Sequence, residues 1–261
     1  MPCNWFQYPA AMQRNAECNL SLDCVRACLH DNLAVKTQPF ATDLVQFQPR
    51  RKSLDEATTV AAILGVSLLQ TVVMLNSWHS WQGSLASLLQ IPAGPVLYTI
   101  VFLGFGVAIP LVVVGFVSYL GVCGMASRPN AFAALRTYAY AFLPLGLGLH
   151  AAHNFHHLFG EGGALWQGLK AEFARYAGGE AAVVLTTAPP TPMAPNTLYF
   201  LQWLALIGGL YLAIWVGTRL IARNAMKPRP AFGTALPIFI FAVVYTLLNA
   251  FVLAAPMAHR H

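Results

Sequence analysis

The sequence predicts an all-α polytopic membrane protein: five transmembrane helices behind a small N-terminal cytoplasmic segment that carries cysteines. Three observations predict it. The chain of 261 residues is 57% hydrophobic and only 9% charged, where a soluble domain averages about 25% charged residues. Five apolar stretches reach the length of about 20 residues that a bilayer demands. The basic residues are distributed unequally between the segments that join those stretches. Too few polar side chains are present to cover a globule of this size, which excludes an ordinary soluble enzyme and a disordered chain. The net charge of +6 is read through the placement of Lys and Arg, and no nucleic-acid-binding motif accompanies it.

Taken in order, residues 1–56 form the extramembrane segment. They hold six Lys/Arg, six Asp/Glu and four of the five Cys. No secretory signal is expected, because residues 1–20 lack a basic start followed by an apolar run. Residues 57–261 form the membrane domain. Its spans run near 58–77, 96–121, 137–159, 197–218 and 232–255. The uncharged loop 78–92 offers Trp78 and Trp81 as interfacial anchors. The second span contains GFGVAIP, and Pro110 frees a backbone carbonyl and predicts a kink. In the long loop 160–196, Leu165, Leu169, Phe173 and Tyr176 recur at helical spacing among Lys170, Glu172 and Arg175. That pattern predicts an amphipathic helix near 163–177 on the outer surface. APPTPMAP, ending at Pro195, is a stiff extended link to the fourth span.

Orientation follows from the basic residues. With the N-terminus inside, the inner segments carry Arg14, Arg26, Lys36, Arg50, Arg51, Lys52, Arg128, Arg136, Arg219, Arg223, Lys227 and Arg229. The outer segments carry Lys170, Arg175 and Arg260. Twelve of the fifteen Lys and Arg thus lie inside, which places the N-terminus in the cytoplasm and the C-terminus in the periplasm of a bacterial inner membrane.

The segment ECNLSLDCVRAC spaces Cys18, Cys24 and Cys28 as C-x5-C-x3-C. Clustered thiolates at short spacing suit an iron–sulfur cluster, whose ligand run is commonly C-x2-C-x2-C-x3-C-P. On that run Cys18, Cys24 and Cys28 take the first, third and fourth ligand positions. Ser21 stands at the second, and Leu29 replaces the Pro. Cys3 offers a fourth thiolate, and Ser21 an oxygen ligand. The bland reading is of ordinary reduced cytosolic thiols. Cys123, alone at the inner end of the second span, reads as a small apolar core residue.

The stretch MPCNWFQYPAAMQRNAECNLSLDCVRACLHDNL, followed by spans, resembles the membrane-bound ferredoxin-type proteins. These include the polyferredoxin-like quinol dehydrogenases of nitrate respiration and the membrane regulators of nitrous oxide respiration. The likeness covers about the first 40 residues and, loosely, the spans. It implies a [4Fe–4S] cluster in a ferredoxin-like segment, with Cys3, Cys18, Ser21, Cys24 and Cys28 as candidate ligands. Such proteins usually carry further spans and another Cys motif upstream. The chain therefore looks like the C-terminal half of such a protein, with a degenerate motif, and a second chain is a candidate source of the missing half.

A second constellation ends the third span in LGLHAAHNFHHLF. At about 100° per residue, His150, His153 and His157 share an arc of about 60°, while His156 points elsewhere. Imidazole suits zinc, copper, iron and haem, and polar groups in a span usually face the bundle interior or a cavity. His79, at the outer end of the first span, is expected at similar depth. The alternatives are interfacial polar residues for His156 and His157, and a hydrogen-bonded structural or quinone-binding pair for His150 and His153. No nucleophile elbow, phosphate loop, HExxH or paired intramembrane carboxylate occurs, and all nine acids lie outside the spans. A proton-driven transporter is disfavoured on that ground, and whether the chain is an enzyme stays open.

These readings give a membrane electron-transfer protein with a cytoplasmic-side iron–sulfur site and a His-rich metal or haem site near the outer face. Its partners would be lipid and other membrane or redox subunits. The alternatives are a non-catalytic subunit or assembly factor of a larger membrane complex, and periplasmic-side copper or zinc handling. The topology makes one checkable statement. A Cys introduced at Gly168 reacts with an impermeant maleimide added outside, and reaction only after permeabilisation overturns the orientation.

Overall fold

The computed structural model describes residues 8, 12, 18–46, 53–123, 130–160, 162–176, 193–224 and 231–256. Among them every regular element is a helix, and no strand occurs. The chain divides into two units, 1–47 and 48–261. Unit 1 has two short helices, α1 (Asp23–Arg26) and α2 (Thr42–Gln46). Residues 18–22, before α1, are irregular, with Leu20 and Leu22 at positive φ, a conformation rare for residues with a branched side chain.

Unit 2 is the helical bundle. α3 (Leu54–Val72) starts on a capping residue, where the Ser53 side chain accepts from the Glu56 N–H at 3.5 Å. α4 (Trp78–Leu89) follows, where the sequence predicts a loop. Trp78 accordingly leaves the interface: it is buried, and its indole N–H donates to Tyr98 Oη at 3.3 Å, while Trp81 stays exposed. α5 (Pro95–Val101) and α6 (Ile109–Leu120) form one continuous rod through a π-helical segment, Phe102–Ala108. The predicted Pro110 kink takes this form. Pro110 has no N–H to return to the carbonyl four residues back, Gly106, and the widened turn lies just before it. The freed Gly106 carbonyl abuts Gly65 of α3 so closely that a Cβ on Gly65 would lie 2.3 Å from its oxygen.

α7 (Ala131–Tyr138) begins on Asn130, whose side chain accepts from the Ala133 N–H at 2.8 Å. A 3-10 turn, Ala139–Phe142, connects it to α8 (Leu143–Phe155), and a second π segment, His156–Gly160, ends the rod. Pro144 explains the first irregularity, since it cannot donate to Tyr140. The Tyr140 hydroxyl donates to Glu56 Oε2, tying the start of α3 to this turn. α9 (Gly162–Tyr176) is the predicted amphipathic helix. None of its residues is buried, Lys170 lies over the Trp166 ring, and Glu172 pairs with Arg175 at 3.3 Å. α10 (Pro195–Asn224) and α11 (Ala231–Ala254) complete the unit.

Four helices among the described residues are long and apolar enough to cross a membrane: Pro95–Leu120, Ala131–Phe159, Asn196–Arg223 and Ala235–Ala254. The first expected span, 58–77, is α3 with its 19 residues, and Asp55 and Glu56 occupy its first turn. The rod Ala131–Phe159 has 67% of its most apolar window inside the protein, against 22% for Pro95–Leu120. The former is the bundle's centre, and the latter turns Phe105, Val112 and Phe116 outward. An apolar rod so exposed is stable only where its surroundings are apolar too, which makes this a membrane protein.

The centre is packed through glycine. A Cβ on Gly148 of α8 would lie 2.7 Å from Ala205 O, and one on Gly209 of α10 would lie 2.7 Å from Pro144 O. Both backbones approach where side chains are absent, the usual device for packing helices in lipid. Gly208, one residue away, has open space around it. Gly209→Ala should therefore destabilise the bundle by about 1–3 kcal/mol through overpacking. Gly208→Ala should be neutral or mildly stabilising, since Ala is the better helix former. Thermal unfolding of the two variants in detergent checks the contrast.

Candidate functional site

Two groups of chemistry-bearing residues are on view, one in each unit. In unit 1, Cys18, Cys24 and Cys28 are partly exposed and unbridged. The Leu20 N–H donates to Cys18 Sγ at 3.4 Å. The Ser21 N–H donates to Asn19 Oδ1 at 3.2 Å. Beyond α1, the amide of His30 and then that of Asn32 point at the Cys28 sulfur and hold its thiol below the ordinary range. Leu33 adds a smaller contribution, while partial desolvation and the Asp31 charge oppose them. Cys3 lies outside the described residues.

In unit 2 the third-span histidines separate. His153 is 4% exposed, and His150 and His79 are exposed. Although His150 lies on nearly the same face of α8, that face is only partly covered, and one turn decides which imidazole is inside. His153 Nδ1 sits 3.3 Å from Thr71 Oγ1 of α3, and its Nε2 sits 3.3 Å from Nε2 of His157. The two rings meet edge to face at 4.9 Å. Thr71 has one hydroxyl proton, which it donates to Ser67 O at 3.1 Å. Its oxygen is then an acceptor, so His153 Nδ1 carries the proton. In the tautomer that suits this arrangement, Nε2 of an uncharged His153 accepts from His157 Nε2–H. The result is one directional chain: His157, His153, Thr71, Ser67.

The π segment places His157 for this contact, because it begins at His156. Where the ladder changes, Gln202 of α10 donates from Nε2 to Ala152 O at 3.0 Å, and Gln202 is itself buried. Sequence reasoning missed Thr71 and Gln202. Their signal was available: each is a polar residue inside an apolar stretch, and such residues face the bundle interior.

The geometry bounds what the histidines can hold. Nitrogens about 2.0–2.1 Å from a tetrahedral metal stand about 3.4 Å apart, so the His153–His157 spacing fits two ligands of one such ion. The pair cannot supply both axial ligands of one haem, because the rings lie on one helix with no room for a macrocycle between them. Among the described residues no group of three or more His, Cys, Asp or Glu converges in a metal-binding arrangement. The three thiols share one short segment without closing around a common point. Compared with protein-family models, curated proteins and solved structures, the chain matches none.

The hydrogen-bond chain makes a quantitative prediction. Burying an unpaired polar group costs about 1–3 kcal/mol. Thr71→Val and His153→Leu should each destabilise the bundle, and the double variant should recover about 1 kcal/mol of the summed loss, because the two groups share one bond. Strict additivity in detergent melts would show that the contact carries no energy. Metal content measured on His153→Leu separates the roles: a loss of bound zinc or copper with an intact fold marks His153 as a ligand.

Proposed function

We propose that this chain is a redox subunit of a bacterial inner membrane, with Cys18, Cys24 and Cys28 holding an iron–sulfur cluster on the cytoplasmic side. The observation that carries this reading is the environment of the sulfurs. Three thiols fall within eleven residues; the Leu20 N–H donates to Cys18 Sγ, and the amides of His30 and Asn32 hold the Cys28 thiol below its ordinary range. Hydrogen bonds to sulfur favour the thiolate that a cluster requires and tune its potential. Cys3 or Ser21 completes the set. The cluster, when bound, supplies one-electron transfer; the protein's share is to hold the thiolates and to anchor them at the membrane.

In this reading α3 crosses the bilayer with the four longer rods, which gives five spans with the N-terminus inside and α9 on the outer surface. Electrons would pass between a cytoplasmic or quinone donor and a periplasmic acceptor, in company with other membrane or redox subunits. Near the outer face of the membrane, His153 and His157 offer a pair of ligands to copper or zinc, with His150 and His79 as further candidates.

A second reading, a non-catalytic subunit or assembly factor, is favoured by a specific observation: Ser21 and Leu29 stand where the motif calls for Cys and Pro. One experiment separates the two. Iron and acid-labile sulfide are measured on protein purified anaerobically, with EPR of the reduced sample. The redox reading expects iron in the wild type and near-background iron in Cys24→Ser, because three protein ligands are the practical minimum for such a cluster. Equal iron in both proteins would show that the thiols are not ligands.

A further inference from the structure

The bundle holds a cavity of about 520 Å³ between α3, α4, the α5–α6 rod and α11. That size lies in the range of small-molecule sites, about 300–1,000 Å³. Its body is apolar, with Leu68 on α3, Phe105 and Val113 on the rod, and Leu248 on α11. At the α4 end the lining includes Trp81 and Gln82. Gln82 is 9% exposed, and its side-chain amide has no hydrogen-bond partner among the described residues. A carboxamide so enclosed, with a cavity before it, is costly unless something accepts its protons.

The direction of the cavity identifies the guest. Its polar end lies where α3 finishes, α5 begins and α11 finishes. The Asn76 N–H there donates to Pro256 O at 3.1 Å, and Trp78 donates to Tyr98 near the start of the rod. Trp81 and Tyr98, both half exposed at this end, are of the kind that gathers at membrane–water interfaces, so this end is at headgroup level. From there the cavity runs to Gly65, Pro110 and Tyr245, in the interior of their spans. Phe105, one of its lining residues, is half exposed on the rod's outer surface. A molecule entering from the bilayer therefore meets an apolar channel with one amide donor at interface depth. That is the polarity of a glycerophospholipid: chain inward, ester carbonyl at the interface.

We propose that this cavity binds one acyl chain of a membrane phospholipid, with the Gln82 side-chain amide donating to its ester carbonyl. The site depends only on the membrane assignment and is independent of the cysteine and histidine chemistry. It also accounts for an uncharged α4 that carries a buried glutamine.

Native mass spectrometry of the full chain released from detergent micelles tests it, with organic extraction to identify what is retained. The wild type should keep one phospholipid per chain under activation that strips the remainder. Leu68→Trp fills the cavity and should abolish retention. Gln82→Leu removes the donor but leaves the channel, and should weaken retention by roughly 5–10-fold, the value of one hydrogen bond. Val112→Trp, on the bilayer-facing surface outside the cavity, should change nothing. Equal retention in wild type and Gln82→Leu, equal loss in Val112→Trp, or no bound phospholipid in the wild type overturns the proposal. So does recovery of an isoprenoid quinone in place of a phospholipid. If Leu68→Trp fails to elute as a monodisperse species, Gln82→Leu and Val112→Trp still decide.

Discussion

The close approach of α8 to its neighbours is the constraint on which the rest of the bundle depends. In lipid, burial of apolar side chains gives little net drive, because hydrocarbon solvates them as well as the protein does. Helices then associate through contact at short range, and contact at short range needs small residues at the crossing. α8 supplies them on two sides. A Cβ on Gly146 would lie 2.8 Å from Ile63 Cγ2 of α3, and Gly148 meets Gly209 of α10 backbone to backbone. Because α3 is held this near, Thr71 reaches His153; because α10 is held this near, Gln202 reaches the Ala152 carbonyl. A slightly wider bundle would have neither bond, and the buried imidazole would be without a partner on α3.

The irregular turns follow from the same crowding. Pro110 and Pro144, two of the three prolines inside the rods, each remove a ladder donor. Each lies beside a change of helix type, a π segment before Pro110 and a 3-10 turn before Pro144. At Pro110 the change is tolerated because the freed carbonyl meets another helix and not lipid. Gly106, whose carbonyl loses its partner to Pro110, presses against Gly65. The sequence could announce a kink at Pro110, but the choice between a bend and a widened turn depends on what lies across from it, and Gly65 is 45 residues away in the chain.

That limit runs through the comparison of sequence with structure. The apolar lengths were legible: four of the five stretches are rods of membrane-crossing length, and α9 appears where the spacing of Leu165, Leu169 and Phe173 put it. Residues 78–92 were not, because a helix with two Trp and no charge looks like an interfacial loop when hydropathy alone is read. The histidine face was half legible. The helical wheel grouped His150, His153 and His157 correctly for an unbroken α-helix, but it carries no information on which part of the arc a neighbouring helix covers. It also assumes a constant period, and the ladder changes at His156. Thr71 and Gln202 passed unnoticed because a single polar residue in a span says that a partner exists and not which one.

The histidine pair also shows why a structural and a ligand-binding role are not opposites. Thr71 spends its only proton on Ser67, so it can meet His153 only as an acceptor. This fixes the proton on Nδ1 and turns the Nε2 lone pair toward His157. The same tautomer is the one that a metal at Nε2 requires, with the Nδ1–H bond to Thr71 as the support that orients the ring. A proton on His157 and a metal ion therefore compete for one place between two nitrogens 3.3 Å apart. The packing of α3 on α8 pre-organises that place whichever occupant it has. Removing Thr71 should thus harm stability and metal affinity together, whereas removing His157 should spare the Thr71–His153 bond and affect only what lies at Nε2.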